Sequence, residues 1–322
     1  MTHTPPAVAI RQLGHCYPGR RRQASRVALE RLDLVIPHGA FFVLTGPNGS
    51  GKSTLFKILC GLTRPSTGTI HIHGHDLIAH PNQARRDMGV VFQKPALDKH
   101  LTVLENFRIH ADLYDIPPAV FAQRLHEALP WSDLQTRLNE RVETLSGGLA
   151  RQAELVKVLL HDPRLLILDE PTVGLDPGGR LAFMSTLLRL QKKRGVTILM
   201  TSHIFAEAEQ ADLVAILRQG RLLAMDTPAR LTAQLGNEIL IVQGEHPEAL
   251  AAALADHPEL HMQIQNHELR IQGQDLLQRM ADLLRDHRAL VHSLSIKQPT
   301  LEDVYIHLTG RALASDEEEN HR

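Results

Sequence analysis

The stretch FVLTGPNGSGKSTL, residues 42–55, decides how the rest of the chain is interpreted. An apolar run from Phe41 to Leu44 predicts a buried strand, which breaks at Gly46 into a loop, and a helix is predicted from about Gly51. The segment GPNGSGKS, residues 46–53, agrees with the strand–GxxxxGK[ST]–helix pattern at all 8 positions. The simpler alternative, a glycine turn between a strand and a helix, does not explain that agreement.

The residue types of this loop suit a chain of phosphates. Glycines let the backbone curl so that its N–H groups point inward at phosphate oxygens. The N-terminus of the following helix adds a partial positive charge at the same place. Lys52 can reach the outer phosphates, and the hydroxyl of Ser53 can bind Mg²⁺. The loop therefore predicts a nucleoside triphosphate site but leaves the reaction open.

A second stretch, LLILDE at residues 165–170, supplies carboxylates for the same site. Its apolar part predicts a buried strand that ends at Asp169, where a carboxylate beside the phosphate loop can hold Mg²⁺ through water. Glu170 follows and can point at an attacking water, as a general base worth roughly 10²–10⁴ in rate. A strand that ends in an acidic turn is common, but downstream of a complete phosphate loop a structural explanation becomes improbable.

Length and composition limit the class of protein. The 322 residues suggest two domains, and an apolar content of 43% suffices for a sizeable core. The net charge of -1, from 35 basic and 36 acidic residues, argues against a general nucleic-acid-binding surface. The two cysteines, Cys16 and Cys60, form no disulfide framework and suggest a reducing compartment.

The chain shows no targeting or membrane-spanning pattern. The first residues, MTHTPPAVAI, lack a basic region followed by a long apolar stretch, so no signal peptide is predicted. No apolar run approaches the roughly 18 residues that span a bilayer. We expect a soluble chain that is able to dock on a membrane protein.

Histidines recur in the segment TIHIHGHDL, residues 69–77. After a turn the segment is predicted to be a strand in which His71, His73 and His75 alternate and lie on the same face. Three histidines on a face could hold a metal ion. Exposed strand positions without a metal are the more common explanation.

The C-terminal part differs in composition and carries no nucleotide motif. From Glu238 to Ile296 the pattern predicts strand, helix, two strands, helix and strand, which is the ferredoxin-like βαββαβ order. We expect a nucleotide-binding α/β domain over residues 1–235, with a helical subdomain at about 100–160. A smaller α+β domain is expected over 236–310, and an acidic, disordered tail over 311–322.

Further motifs follow the phosphate loop in a fixed order. Gln93 comes after a short apolar strand, and Leu145-Ser146-Gly147-Gly148 opens a long helical pattern. After LLILDE come Gly174-Leu175-Asp176 and, at the end of another apolar strand, His203. Over about residues 7–230 this set resembles the ATP-binding subunit of an ABC transporter, with a Q-loop, signature, D-loop and switch histidine in the family's order. The signature is the most specific motif, because simple phosphate-loop ATPases lack it.

The resemblance implies a P-loop ATPase fold with a helical subdomain, and ATP and Mg²⁺ as cofactors. Two copies would pair head to tail, so that ATP joins the phosphate loop of one to the signature of the other. It implies a catalytic role for Glu170 and His203, and adenine stacking on Tyr17. The implied ATP contacts are Tyr17, Gly46, Pro47, Asn48, Gly49, Ser50, Gly51, Lys52, Ser53, Thr54, Gln93 and Asp169. Ser53, Gln93 and Asp169 would hold Mg²⁺, and Ser146, Gly147, Gly148 and Asp176 would contact ATP across the dimer.

One residue departs from the family pattern. Leu149 follows the signature glycines, where the family usually has a polar residue such as Gln that contacts the sugar side of the nucleotide. The departure puts that contact in question and leaves the serine and glycines in place.

The C-terminus adds a narrower resemblance. Gln298–Tyr305, QPTLEDVY, with Leu308-Thr309-Gly310, is similar to the PSLEDVF…LTG ending of cassettes of the multidrug and daunorubicin-resistance group. These cassettes work with a separate permease of the ABC-2 type, which the family docks at residues 102–139. The resemblance implies an export ATPase, homodimeric and peripheral on the cytoplasmic face of the membrane, with no nucleic-acid partner.

Two other functions remain open from sequence. A soluble ABC-type ATPase could act on ribosomes or nucleic acid, and a scaffold cassette could serve cofactor assembly. The single cassette, the balanced charge and the absence of a coiled-coil insertion between residues 54 and 145 count against the first of these.

Overall fold

A computed structural model describes residues 5–19, 25–236, 238–254, 260–265, 268–273, 276–286 and 288–310. The expected acidic tail, residues 311–322, lies outside them. The strands are β1 (Val8–Tyr17), β2 (Arg26–Ile36), β3 (Phe41–Thr45), β4 (Thr67–Ile72), β5 (His75–Asp76), β6 (Met88–Val91), β7 (Leu165–Asp169), β8 (Thr197–Ser202), β9 (Leu213–Arg218), β10 (Arg221–Asp226), β11 (Ile239–Gln243), β12 (His261–Gln265), β13 (Glu268–Gln272) and β14 (Ser293–Lys297). The helices are α1 (Lys52–Leu59), α2 (Pro81–Arg85), α3 (Val103–Leu113), α4 (Pro118–Ala128), α5 (Gly147–Leu159), α6 (Pro177–Arg194), α7 (Phe205–Ala208), α8 (Pro228–Ala233), α9 (Pro247–Ala253), α10 (Leu276–Asp286) and α11 (Leu301–Thr309).

The central sheet has six strands in the order β10-β9-β3-β8-β7-β6. Strands β3, β6, β7, β8 and β9 run parallel to one another, and β10 pairs antiparallel with β9 at the edge. Strand β3 is buried along its whole length, so its apolar run has no polar face. Phe41 and Val43 contribute to the core on one side of the sheet, while Phe42 and Leu44 contribute to the core on the other.

A second sheet, β2-β1-β4-β5, is antiparallel and encloses the core that contains α1. Val8 and Ile10 at the start of β1 are buried there with less buried residues after each, and the alternation then breaks where the pairing with β2 shifts register between Ile10 and Leu13. Helix α1 packs in the same core through Leu55, Ile58 and Leu59. The helix that follows the phosphate loop is therefore held by apolar contacts along its length.

The histidine segment forms a hairpin instead of one strand. Strand β4 ends at Ile72, and His73 and Gly74 turn the chain through left-handed backbone angles of φ 49° and 84°. Strand β5 then pairs back on β4, with His75 opposite Ile72. The prediction that His71, His73 and His75 share a face is wrong, because the glycine turn reverses the chain between them. Within the described ranges, no three histidine, cysteine or acidic side chains are grouped closely enough to hold a metal ion.

The region between β6 and β7 is mainly helical, as predicted. Thr102 and Glu105 form a capping box at the start of α3, and α4 begins at Pro118, directly after Pro117. The signature helix α5 carries seven buried residues, and the core that it enters also contains Phe107 of α3. No helix in the described ranges combines the length and the apolar character that crossing a bilayer requires.

The C-terminal sheet has the order β12-β13-β11-β14 with every neighbouring pair antiparallel. With α9 and α10 it follows the predicted βαββαβ order of the ferredoxin-like fold. Its core contains Leu240, Val242, Leu269 and Ile271 and is separate from the two cores of the central sheet. Helix α11 leaves this sheet and packs against α7 and α8, where Tyr305 joins a core of the central sheet.

Candidate active site

The phosphate loop joins the carboxyl end of β3 to the first turn of α1. Gly46, Gly49 and Gly51 have φ values of 146°, 79° and 110°, which L side chains rarely adopt. A Cβ on Gly46 would lie 2.1 Å from the carbonyl oxygen of Leu217, and one on Gly51 would lie 2.6 Å from that of Ala28. The pattern requires glycine here because both the backbone angles and the neighbouring strands exclude a side chain.

Lys52 begins α1 and turns its side chain back over the loop. Its ammonium donates hydrogen bonds to the carbonyl oxygens of Gly46 at 2.7 Å and Pro47 at 3.0 Å. The same nitrogen lies 3.9 Å from Oε1 of Glu170, and the residue is only 3% exposed. The cation that the motif supplies is therefore held between the loop and the end of β7.

Asp169 and Glu170 lie at the end of β7, next to β8. The hydroxyl of Thr201 donates to Oδ1 of Asp169 at 2.6 Å, and the backbone N–H of Glu170 donates to that hydroxyl oxygen at 3.0 Å. Glu170 has φ 43°, a left-handed angle that costs a non-glycine residue on the order of 1 kcal/mol. The strand therefore ends in a strained turn that Thr201 of the neighbouring strand fixes.

Glu170 lies between two nitrogen-bearing side chains. Nδ1 of His203 is 3.3 Å from Oε2, on the opposite side of the carboxylate from Lys52. The imidazole of His203 beside the carboxylate lowers the pKa of Glu170, burial raises it, and the charge of Lys52 lowers it further, so that the pKa lies below its usual value. Glu170 is consequently ionised at neutral pH.

Tyr17 lies at the end of β1, close to the first turn of α1. Its hydroxyl is 3.4 Å from Oγ1 of Thr54, and the ring packs edge-on against His15 with centroids 4.5 Å apart. The expected aromatic residue is therefore next to the helix that follows the phosphate loop.

The other predicted site residues lie on other elements, at the starts of α5 and α6 and after β6. Ser146 caps α5, with the N–H of Leu149 3.3 Å from its hydroxyl, and Asp176 caps α6 through Gly179 at 2.7 Å. A Cβ on Gly147 or Gly148 would meet nothing within 4 Å, so the backbone at the start of α5 is open to an approaching group. The side chain of Gln93, two residues after β6, is exposed.

The donors at the loop fit a nucleotide with a divalent cation. The ammonium of Lys52, the N-terminus of α1 and the hydroxyls of Ser53 and Thr54 are groups that bind phosphate oxygens. Burial raises the pKa of Asp169, although the hydrogen bond from Thr201 opposes the rise. A cation beside this carboxylate would favour its ionised form, and Ser53 supplies a second oxygen for Mg²⁺.

Comparison with known proteins identifies the family. Residues 29–173 match the model of the ABC transporter family. Nod factor export ATP-binding protein I of Rhizobium meliloti is 34% identical over 313 residues, which cover 97% of this chain and 91% of that protein. The protein of that name from Cupriavidus pinatubonensis is also 34% identical, over 91% of this chain and 90% of its own.

The chain belongs to the ABC transporter family as an ATP-binding subunit. A solved ATP-binding subunit of an ABC transporter is 33% identical, with a TM-score of 0.62 over 71% of this chain and 93% of its own. A dimeric cassette solved in a post-hydrolysis state with ADP and Pi is 25% identical, with a TM-score of 0.62 over 68% and 98%. The sequence-based resemblance is confirmed, and the protein is an ATPase.

The ABC subunit also contains a buried ion pair that sequence reasoning missed. Arg151 of α5 is 2% exposed, donates to Oε2 of Glu154 at 2.7 Å and donates to the carbonyl oxygens of Phe92 and Gln93. Oε1 of Glu154 accepts from the N–H of Ala96 at 3.0 Å. The signature helix therefore holds the backbone of the Q-loop. The available signal was a pair of opposite charges at i, i+3 on an otherwise apolar helix face.

Glu207 of α7 is the second missed residue. It is 2% exposed and accepts hydrogen bonds from the hydroxyls of Ser202 and Thr172, both at 2.6 Å. Arg180 of α6 lies 3.6 Å from the same carboxylate. Glu207 thus joins the residue before His203 to the segment that follows Glu170.

Removal of Arg151 alone is predicted to destabilise the fold strongly. In Arg151→Met the carboxylate of Glu154 remains buried without its guanidinium partner, which costs about 3–5 kcal/mol in the free energy of unfolding. The double variant Arg151→Met/Glu154→Met removes both charges and should recover a large part of that loss. Urea unfolding followed by circular dichroism measures both.

A surface pair serves as the matched control. Arg137 and Glu140 are also three residues apart on the chain but are exposed. Arg137→Met should change the free energy of unfolding by less than about 1 kcal/mol. A single Arg151→Met variant as stable as the double variant would contradict the importance of the buried pair.

Proposed function

We propose that this ATPase powers export through a separate membrane permease, with two copies of the chain closing around two ATP molecules. The observation that carries the proposal is the placement of Glu170 between Lys52, at 3.9 Å, and His203, at 3.3 Å. These three residues follow three neighbouring strands of the central sheet, and their charges suit hydrolysis of a terminal phosphate bond. Within this proposal the hydrolytic residues are Glu170 and His203.

The ATP contacts are proposed on the surface formed by the phosphate loop and Tyr17. Lys52 and the N-terminus of α1 would bind the phosphates, and the ring of Tyr17 would stack on the adenine. Mg²⁺, when bound, supplies charge that offsets the β- and γ-phosphates. The proposed ATP contacts are Tyr17, Gly46, Pro47, Asn48, Gly49, Ser50, Gly51, Lys52, Ser53, Thr54, Gln93 and Asp169, of which Ser53, Gln93 and Asp169 are the proposed Mg²⁺ contacts.

Glu170 would act on the attacking water. Its pKa lies below the usual value, so the carboxylate is ionised and can accept a hydrogen bond from water at neutral pH. A lowered pKa also makes it a weak base, so we infer that Glu170 mainly orients and polarises the water before the phosphate bond breaks. His203 would hold this carboxylate and the γ-phosphate in line.

The second copy would complete each site. Ser146 and Asp176 lie at the N-termini of α5 and α6, where a partial positive charge faces outward. The open backbone at Gly147 and Gly148 allows a γ-phosphate of a partner's ATP to approach closely. A head-to-tail homodimer follows from this proposal, and the dimeric cassettes among the solved relatives support it.

The permease would dock on the helical region, residues 102–139. Three large apolar side chains are exposed at the end of α3: Ile109 (48%) and Leu113 (77%) in the helix, and Tyr114 (44%) directly after it. Such a group of exposed apolar side chains on one helix is unusual. The two Nod factor relatives are named as export proteins, and on that basis we propose export through an ABC-2 type permease. The subunit would then lie peripherally on the cytoplasmic face of the membrane.

We also propose the domain division. Residues 1–235 would form the ATP-binding domain, with a helical subdomain at about 100–160, and residues 236–310 would form an accessory domain. The separate apolar core of the C-terminal sheet supports the division. Because α11 packs in a core of the central sheet, a deletion of residues 236–322 would also remove Leu301, Val304 and Tyr305 from that core.

Glu170→Gln tests the catalytic assignment. The variant keeps the side-chain shape and loses the charge, so we expect ATP binding to persist while the turnover rate falls by roughly 10²–10⁴-fold. Trapped ATP should then accumulate in a dimer that light scattering coupled to gel filtration detects. Unchanged turnover in this variant would remove Glu170 from the proposed role.

Two variants control this experiment. Glu140→Gln makes the same chemical change at an exposed position and should leave turnover unaltered. Lys52→Ala should lose affinity for N-methylanthraniloyl-ATP in a fluorescence titration, because the phosphates lose their buried cation. Full affinity in Lys52→Ala would contradict the assignment of the loop.

Capture from membranes tests the permease. The Glu170→Gln protein, immobilised with Mg-ATP, should retain a polytopic membrane protein from detergent-solubilised membranes, identified by mass spectrometry. Leu113→Glu on the docking face should abolish that capture and leave ATP binding intact. Recovery of ribosomal or assembly proteins without a membrane protein would overturn the transport proposal.

A further inference from the structure

Helix α11 lies directly behind the short helix that follows His203. The rings of Tyr305 in α11 and Phe205 in α7 are 5.6 Å apart, and Tyr305 is completely buried. The backbone N–H of Leu301, at the start of α11, donates to Oε1 of Glu209 at 3.1 Å. Apolar and polar contacts thus both join the C-terminal helix to the segment that carries His203.

Helix α7 is too short to hold its own position. It has four residues, and its N-cap, Ile204, provides no side-chain hydrogen bond. Isolated helices of this length are unstable, so the placement of α7 depends on what packs around it. The polar side of α7 is held through Glu207, and Tyr305 covers Phe205. Because His203 lies two residues before Phe205, a shift of α7 changes the contact between His203 and Glu170.

The opposite face of α11 is joined to the C-terminal sheet by a buried carboxylate. The side chain of Asp303 is 1% exposed and forms ion pairs with Arg270 of β13 at 2.5 Å and Lys297 of β14 at 3.0 Å. The N–H of Thr300 also donates to it at 2.9 Å, in a capping box. Burial raises the pKa of Asp303, but Thr300 and Lys297 lower it by more, which keeps the carboxylate charged.

We propose that Asp303, Arg270 and Lys297 are positioning residues for ATP hydrolysis. They fix α11 against the C-terminal sheet, and α11 fixes α7, so that His203 remains beside Glu170. The inference rests on the proposed role of Glu170 and His203. It assigns the C-terminal sheet a function in the hydrolysis step, through contacts that lie apart from the phosphate loop.

The consequence is a separation of turnover from binding. The phosphate loop joins β3 to α1, where Lys52 lies, whereas the ion pairs of Asp303 join α11 to β13 and β14. A displaced α7 should therefore lower kcat and leave the affinity for nucleotide unchanged. A general loss of folding would change both, together with the unfolding midpoint.

A double-mutant cycle on the full chain tests the proposal. Asp303→Asn, Arg270→Gln and the combined variant are assayed for steady-state Mg-ATP hydrolysis and for the Kd of N-methylanthraniloyl-ATP. We expect kcat to fall about 3- to 10-fold in each single variant, the usual range for coupling through packed side chains. The kcat of the combined variant should be no lower than that of the less active single variant, because both changes break the same ion pair.

Hydrogen exchange gives a readout that does not depend on activity. The N–H groups of Glu207 and Glu209 bond to the carbonyl oxygens of Ile204 and Phe205 at 3.1 Å and 3.0 Å. In Asp303→Asn these amides should exchange faster, by at least about threefold, while the amides of α1 stay unchanged. Glu268→Gln is the matched control, because its carboxylate also makes a polar contact on the C-terminal sheet, to Gln243 and not to α11.

The outcomes separate this proposal from the proposed function. Lower kcat with unchanged Kd, and faster exchange confined to α7, would support it. Unchanged exchange at Glu207 and Glu209, or unchanged kcat, would overturn it. A fall of kcat in proportion to a rise in Kd and a drop in the unfolding midpoint would also overturn it. Full turnover in Glu170→Gln would overturn the catalytic assignment alone, because the exchange experiment still reports whether Asp303 positions α7.

If Asp303→Asn fails to fold, two variants of Tyr305 provide a second test of the proposal. Tyr305→Phe keeps the ring against Phe205 and should retain kcat. Tyr305→Leu keeps an apolar side chain at this position but removes the ring contact with Phe205. It should lower kcat without raising Kd. Equal kcat in the two variants would overturn the route through Phe205.

Discussion

The active site depends on the register of three parallel strands. Thr45 lies opposite Ser202, and Asp169 lies opposite Thr201, so the ends of β3, β8 and β7 come to one edge of the sheet. That register places the cation of Lys52 and the imidazole of His203 on either side of one carboxylate. A buried carboxylate is expensive unless it is paired, and here the flanking groups lower the pKa of Glu170 against the effect of burial. A slip of one residue in any strand would separate the three groups.

The parts of the site that sequence predicted are those encoded locally. A strand followed by a glycine loop and a helix fixes where Lys52 must lie, because all three elements are consecutive in the chain. Asp169 and Glu170 were predictable for the same reason, since a buried strand leads directly to them. The βαββαβ order of the C-terminal part was also predictable, because it depends on the period of short segments and not on distant contacts.

The features that the sequence did not predict are contacts between residues far apart in the chain and one turn, at His73 and Gly74. Arg151 and Glu154 bind a backbone segment about 60 residues earlier in the chain, and nothing near them indicates that partner. Glu207 likewise accepts a hydrogen bond from Thr172, 35 residues earlier in the chain. The error at His73 has a local cause, because Gly74 reverses the chain at a point where the alternating pattern suggested one continuous strand.

The contact between α11 and the C-terminal sheet is ionic, whereas the contact between α11 and α7 is largely apolar. An apolar surface tolerates sliding, because its free energy depends on area more than on direction. The carboxylate of Asp303 accepts from Arg270, Lys297 and Thr300, and these donors fix both the position and the rotation of the helix. A buried ion pair adds little net stability compared with well-packed apolar residues, so its presence here favours a directional role. For a helix that sets the place of His203 through Phe205, direction matters more than strength, and the ion pairs of Asp303 supply that direction.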